Sequence, residues 1–216
     1  SAASDVYKRQ LVNYKDILLR PEDHSVKLAK AGMSIDLGGI AKGYAVDEVR
    51  AIFAKHHIEN GLINLGASSM YALGSNAKGG PWRIGIKHPR NDDKDTYLGI
   101  VAVSNENIST SGDYERFFEE NGVRYHHIFD PKTGRPARSG VMSDSVLVDS
   151  SIEHGGMLGD MLTTILFVLG PERGMEFAHS VNGVEAMITT TDGKIYMTDG
   201  FKSHFSDLNS DFKLMP

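Results

Sequence analysis

A chain of 216 residues, 40% hydrophobic and 24% charged, has the composition of an ordinary globular protein with one sizeable core, so a single domain is expected. A formal charge of -5 without a Lys/Arg run argues against a nucleic-acid or anionic-membrane surface as the main partner. The absence of cysteine excludes disulfides, thiolate metal sites and a Cys nucleophile but leaves the compartment open, and no stretch reaches the apolar length of a membrane span.

In chain order, Tyr14 to Leu19 and Ser25 to Leu28 alternate in short runs around Arg20-Pro21-Glu22-Asp23-His24 and predict a hairpin. The apolar run ending at Asp36, the pair Gly38-Gly39, and then Ala41, Ala45, Val46 and Val49 at helical spacing predict strand, tight turn, helix. Free turn amides and the first helical N–H groups at such a junction attract anions, and Lys42 would add a mobile charge. The same shape also serves as a plain corner. Its spelling is neither G-x-G-x-x-G nor a P-loop, because Lys42 is followed by Gly43. From Tyr44 to His56 the helix is expected to bury Val46, Val49, Ile52 and Phe53, with His56 and His57 closing its end against the helix dipole.

Leu62 to Gly74 reads as two strand pieces around Ala67-Ser68-Ser69, a turn expected to be structural. Trp82 to Lys87 is a strand entering a loop in which His88 is expected at the surface. After the strand Leu98 to Ser104, the stretch Ile108 to Glu115 reads as a hydroxyl-rich turn opening onto Gly112 that can donate to phosphate or ribose oxygens, or simply cap a corner. Val123 to Asp130 is a strand on which His126 and His127 point to opposite faces, so the pair does not chelate one ion. A histidine here is either a hydrogen-bonded structural residue or a base.

The strand Val141 to Asp149 leads through Gly155-Gly156-Met157-Leu158-Gly159 to a helix expected to begin near Asp160 and to stop at Gly170-Pro171. Asp160 and Thr164 are four apart, on one helix face, with Thr163 beside them. One carboxylate and a hydroxyl make the sparse oxygen shell that Mg²⁺ accepts; Asp160 as an N-cap with Thr164 back-bonded would need no metal. Glu172 to His179 is helical, Val184 to Thr190 and Lys194 to Thr198 form a hairpin across Asp192-Gly193, and His204 and Asp207 are expected at the surface.

The spelling Asp36-Leu37-Gly38-Gly39-Ile40-Ala41-Lys42-Gly43-Tyr44-Ala45-Val46-Asp47 resembles the central signature of the ApbE family, the FAD:protein FMN transferases. His127, two apolar residues, Asp130-Pro131, then Thr133-Gly134 and Pro136 resemble a second stretch of that family, and Asp160-Met161-Leu162-Thr163-Thr164 a third, spelled Asp-Ala-Leu-Ser-Thr there. The resemblance runs from about Tyr14 to Phe201. It breaks at Ala67-Ser68-Ser69, where the family usually has a second glycine followed by Asp or Asn. Residues 1–10 fit nothing in the family pattern and are expected to be a non-native leader, with 11–216 forming a domain that lacks the family's N-terminal segment.

The resemblance implies a single α+β domain of T-fold-like kind, with mixed and antiparallel sheets packed by helices. It implies Mg²⁺-dependent transfer of the FMN half of FAD to a Thr or Ser hydroxyl of a target flavoprotein of electron transport, with release of AMP. By the same resemblance Asp160, Thr164, the neighbouring Thr163 and the Gly39 carbonyl hold Mg²⁺, and Lys42 meets a phosphate oxygen. Asp36 and Ile128 contact FAD, Asp47, Ser111, Gly112 and Asp130 support its pocket, and His127 is the base near the attacking hydroxyl. The implied location is extracytoplasmic, held by a signal or lipid anchor that this sequence does not contain. Two alternatives use the same residues: a Mg²⁺-dependent FAD pyrophosphatase giving FMN and AMP, and an FAD-binding protein without turnover.

Overall fold

In the computed structural model, which describes residues 10–91, 93 and 96–216, the strand Val141–Asp149 (β12) is buried on both faces. Val146 and Val148 point one way and Leu147 the other, and β13 (Val184–Thr190) repeats this with Ala186 and Ile188 against Met187. Such strands belong in the middle of a sheet covered on both sides. The sheet has seven strands in the order β16-β14-β13-β12-β7-β4-β3. The others are β3 (Gly61–Leu65), β4 (Ser69–Leu73), β7 (Glu106–Gly112), β14 (Lys194–Met197) and β16 (Lys213–Leu214). All pairings are antiparallel except β14 with β16.

One face is covered by helices α1 (Ala41–Lys55), α2 (Gly155–Leu169) and α3 (Pro171–His179). From α2, Leu162, Leu166 and Phe167 pack on Val146, Val148 and Ile188, each side chain contributing about 2 kcal/mol of burial. The other face packs on β5 (Trp82–Lys87), β6 (Tyr97–Val103) and helix α4 (Asp199–His204) through Ile84, Leu98, Val101 and Phe201. β15 (Phe205–Ser206) extends the small sheet beside β6. Three two-stranded ribbons complete the chain: β1 (Ile17–Arg20) with β2 (Ser25–Leu28), β8 (Phe117–Glu120) with β9 (Val123–His126), and β10 (Phe129–Asp130) with β11 (Arg135–Pro136). This is the expected α+β arrangement. No helix of the described residues is long and apolar enough to cross a membrane.

The structure corrects several sequence expectations. Residues 34–36 join no sheet, and Ile35 is exposed, so the helix α1 is entered from a loop. Ile52 is exposed because only the stripe Val46, Val49 and Phe53 meets Ile63 and Tyr71. The run Ile108 to Gly112 is no turn but part of the interior strand β7, between β12 and β4. His88 is buried, with its Nε2 3.2 Å from Asp211 Oδ2, its Nδ1 accepting from the Arg90 amide and its ring against Phe212. His204 is half-buried, 3.3 Å from Glu106. Of the decapeptide set aside as a leader, residues 1–9 lie outside the described residues; Gln10 accepts from Lys30 Nζ.

The largest correction concerns α2. It begins at Gly155, a turn and a half before Asp160, which therefore sits inside the helix and caps nothing. The cap comes from α1, where Asp47 Oδ1 accepts from the Gly156 amide and Oδ2 from the Met157 amide, both at 2.9 Å. A carboxylate at a helix N-terminus satisfies two free donors and complements the dipole.

Candidate active site

Helices α1 and α2 touch at two glycines. A β-carbon on Gly43 would lie 2.1 Å from the Gly156 carbonyl oxygen and 2.8 Å from Asp160 Cβ, and one on Gly156 would lie 2.6 Å from the Gly43 carbonyl oxygen. Only glycine permits backbones this close. The approach brings the Gly43 amide within 3.0 Å of Asp160 Oδ2. That amide is therefore directed at Asp160 and not at the Gly39 carbonyl four residues back, which leaves this carbonyl open to a cation.

Asp160 is 6% exposed, and Ser69 Oγ donates to its Oδ1 at 2.9 Å. Each carboxylate oxygen thus takes one donor and keeps a lone pair. One turn further along α2, Thr164 Oγ1 lies 3.7 Å from where a Gly39 β-carbon would be, so the glycine corner rests against the hydroxyl. Carboxylate, hydroxyl and carbonyl are a hard-oxygen set. Among the described residues no three His, Cys, Asp or Glu side chains gather to hold a metal; carboxylate, hydroxyl and carbonyl are the sparse kind of set that suits a partly hydrated Mg²⁺.

Lys42, adjacent to Gly43, is exposed and its Nζ donates to Ser68 Oγ. Asp36 Oδ1 accepts from the Gly38 amide at 2.6 Å, an Asx turn that shapes the corner, while the Asp36 side chain stays at the surface. Thr163 is turned inward; its Oγ1 accepts from Ser111 Oγ and donates to the Asp160 carbonyl, each at 2.9 Å. Asp47 and Thr163 are both committed to protein partners and support the site from behind. Gly112 leaves room for the Tyr114 ring, whose atoms would come within 2.4 Å of an added β-carbon. Burial pushes the Tyr114 hydroxyl far above its ordinary value.

The His127 segment is a separate piece docked on α2. His126 is buried, its Nε2 donating to the Ala137 carbonyl at 3.0 Å and its ring meeting Phe167 edge-on at 5.3 Å. Its Nδ1 accepts from the Ile128 amide, and burial lowers its basicity, so it is a neutral structural histidine. His127 points the opposite way and is exposed, as the alternation requires. Its Nδ1 donates to the Arg116 carbonyl at 3.3 Å, which leaves Nε2 as the free acceptor of that tautomer. Ile128 is buried in the α2 core, and its carbonyl accepts from Ala137. Asp130 closes a turn by accepting from the Lys132 amide.

Sequence reasoning missed Ser69, read as a structural turn, and the buried Asp113, which forks with Arg90 at 2.6 and 2.7 Å beside Gly112. It also missed the polar seam beneath α2. Gly155 lies over Asn107 and Gly159 over Ser109, and Thr163 bonds to Ser111. The signal was present as small residues four apart on the helix matched with polar residues two apart on the strand. A cleft of about 80 Å³ opens beside Ser68, walled by Met70, Ile84, Ile108 and Tyr114.

The sequence profile of the ApbE family matches residues 3–188. The chain is 34% identical over 214 residues to a FAD:protein FMN transferase of Klebsiella pneumoniae (strain 342), covering 99% of this chain and 64% of that protein. It is 36% identical over 199 residues to a protein of the same name from Treponema pallidum (strain Nichols), covering 88% and 53%. Its fold is similar to the crystal structure of the ApbE protein from Thermotoga maritima, with a TM-score of 0.82 at 34% identity, covering 96% of this chain and 64% of that one. The chain thus spans between about half and just under two thirds of the length of these relatives.

Proposed function

The chain belongs to the ApbE family, and from that premise we propose that it moves the FMN half of FAD onto a Thr or Ser hydroxyl of a target flavoprotein, releasing AMP. The observation that carries this reading is the meeting of Asp160 and the glycine corner through the 3.0 Å bond from the Gly43 amide, with Lys42 on the adjacent residue. Attack on a diphosphate needs charge neutralisation and alignment more than covalent help from the enzyme. Asp160, Thr164 and the Gly39 carbonyl would hold Mg²⁺, which when bound supplies positive charge against the diphosphate oxygens.

The residues of the chain do the rest. Lys42 binds a phosphate oxygen, while the Gly38 amide stays on Asp36 and shapes the corner. His127 accepts the proton of the attacking hydroxyl at Nε2 while Arg116 fixes its tautomer through Nδ1. The segment that bears it is held on α2 by Ile128 and His126, so base and carboxylate share one rigid support.

The test is AMP release from FAD with Mg²⁺ or with EDTA, in the presence of a flavin-accepting domain. Asp160→Asn is expected to lower AMP release by at least about 100-fold, and wild-type enzyme to leave flavin fluorescence on the denatured acceptor. AMP release that persists unchanged in EDTA and in Asp160→Asn would overturn the reading. Free FMN without labelled acceptor would make the enzyme a hydrolase.

A further inference from the structure

The contacts around Lys42 and Asp160 close into a ring. Lys42 Nζ donates to Ser68 Oγ, the adjacent Ser69 donates to Asp160 Oδ1, and Asp160 Oδ2 accepts from the amide of Gly43, the neighbour of Lys42. Two consecutive residues, Ser68 of the β3–β4 turn and Ser69 at the start of β4, thus each hold one of the two charged groups. The pair straddles the end of the turn, and each hydroxyl reaches a different group.

The turn is built to hold this placement. Gly66 and Ala67 are both left-handed, with φ of 66° and 59°, and Ala67 is a residue that rarely adopts that conformation. Backbone strain of this kind persists where the surroundings over-determine it. Here the Ala67 amide donates to Asn64 Oδ1 at 2.8 Å, and the Ser68 carbonyl accepts from the Thr110 amide of β7 at 2.8 Å. Ser69 is fully buried, so its hydroxyl has no competition from solvent.

We propose that Ser68 and Ser69 are positioning residues with separate tasks, Ser69 orienting the Asp160 carboxylate for a divalent cation and Ser68 pre-ordering Lys42 for a phosphate group. The inference rests on the roles given above to Asp160 and Lys42. A hydrogen bond to a ligating carboxylate fixes the lone pair offered to the metal, and losing such a partner typically lowers metal affinity 10- to 100-fold. Lysine is flexible, so a neutral acceptor that immobilises it without cancelling its charge lowers the ordering cost of binding an anion. Ser68 accepts from Lys42 and keeps its own proton to donate to the same phosphate.

The experiment measures Mn²⁺ affinity by electron paramagnetic resonance, and FAD affinity in EDTA by flavin fluorescence, on the full chain and two variants whose circular dichroism is checked. Ser69→Ala is expected to weaken Mn²⁺ about 10-fold and leave FAD in EDTA unchanged. Ser68→Ala is expected to weaken FAD about 5-fold and leave Mn²⁺ unchanged. Should Ser69→Ala lose its fold, Ser69→Cys, similar in size with a weaker donor, replaces it and is expected to move Mn²⁺ in the same direction. Variants that change both affinities together, or neither, overturn the division of tasks while wild-type binding stands. Wild-type protein that binds neither Mn²⁺ nor FAD overturns the proposed function, and this inference with it.

Discussion

Substitution of Gly43 by Ala sets two physical effects against each other. Helix propensity alone favours Ala at this first-turn position of α1, by at most the about 1 kcal/mol of a helix interior. The geometry forbids it, because the new methyl would sit 2.1 Å from the Gly156 carbonyl oxygen and 2.8 Å from Asp160 Cβ, both on a packed helix. Restoring an ordinary contact requires the helices to part by about 1 Å or more. That parting costs about 1–3 kcal/mol as overpacking. It also breaks the Gly43 bond to the buried Asp160 carboxylate, which is worth about 1.5–3 kcal/mol. The expected net loss is about 3 kcal/mol, a fall in melting temperature of about 10 °C for a domain of this size. Urea denaturation followed by circular dichroism measures it, and Mn²⁺ affinity should fall in the surviving folded protein because the helix contact that sets Asp160 beside the glycine corner is opened. A variant as stable as wild type, or more so, would show that the crossing is looser than described and would refute the reasoning.

Two further substitutions probe the scaffold behind the site. Asp47→Ala removes the acceptor for two α2 amides and should cost about 2 kcal/mol in urea denaturation, with Asp47→Asn losing roughly half as much; a loss within 0.5 kcal/mol of zero for Asp47→Ala would mean that solvent caps the helix equally well, about the scatter of ordinary surface substitutions. Asp144 is fully buried on the β12 face shared with Val146 and Val148, and desolvation raises its carboxyl well above the ordinary range, the Ser111 amide acting weakly the other way. Its proton is kept on folding while the unfolded chain releases it above pH 3.8, so the folded state loses stability as pH rises from about 4, by up to about 1.4 kcal/mol per pH unit, until the folded-state value is passed. Asp144→Asn cannot ionise and should gain on wild type progressively between pH 4 and 8 in thermal melts, at intervals of roughly one unit; a pH-independent difference would contradict the assignment.

Much of the fold was legible because it rests on local pattern. The strand Val141–Asp149 and the hairpin across Asp192-Gly193 follow from apolar runs bounded by turn residues. The start of α2 was not legible, since Gly155-Gly156 reads as a loop by propensity and its cap, Asp47, lies 109 residues earlier in the chain. The strand β7 was misread for a related reason. Its serines and threonine have the composition of a turn, and only the glycine face of α2 above them makes a polar interior strand packable.

The site shows the same division. Lys42, Gly39, Asp160 and Thr164 were singled out from spelling, because each sits in a run whose order is itself the signal, and the structure places them around one helix contact. Ser68 and Ser69 were not, because the stretch that carries them departs from the family spelling and a serine pair among small residues is common in any corner. What distinguishes them is adjacency at both ends. Lys42 and Gly43 are neighbours on α1, Ser68 and Ser69 are neighbours on β4 and its turn, and Asp160 closes the circuit between them. Any shift of α2 that displaces Asp160 therefore acts on both serines through one short stretch of backbone, so cation and phosphate affinities are tied to a single rigid element even though each has its own hydroxyl.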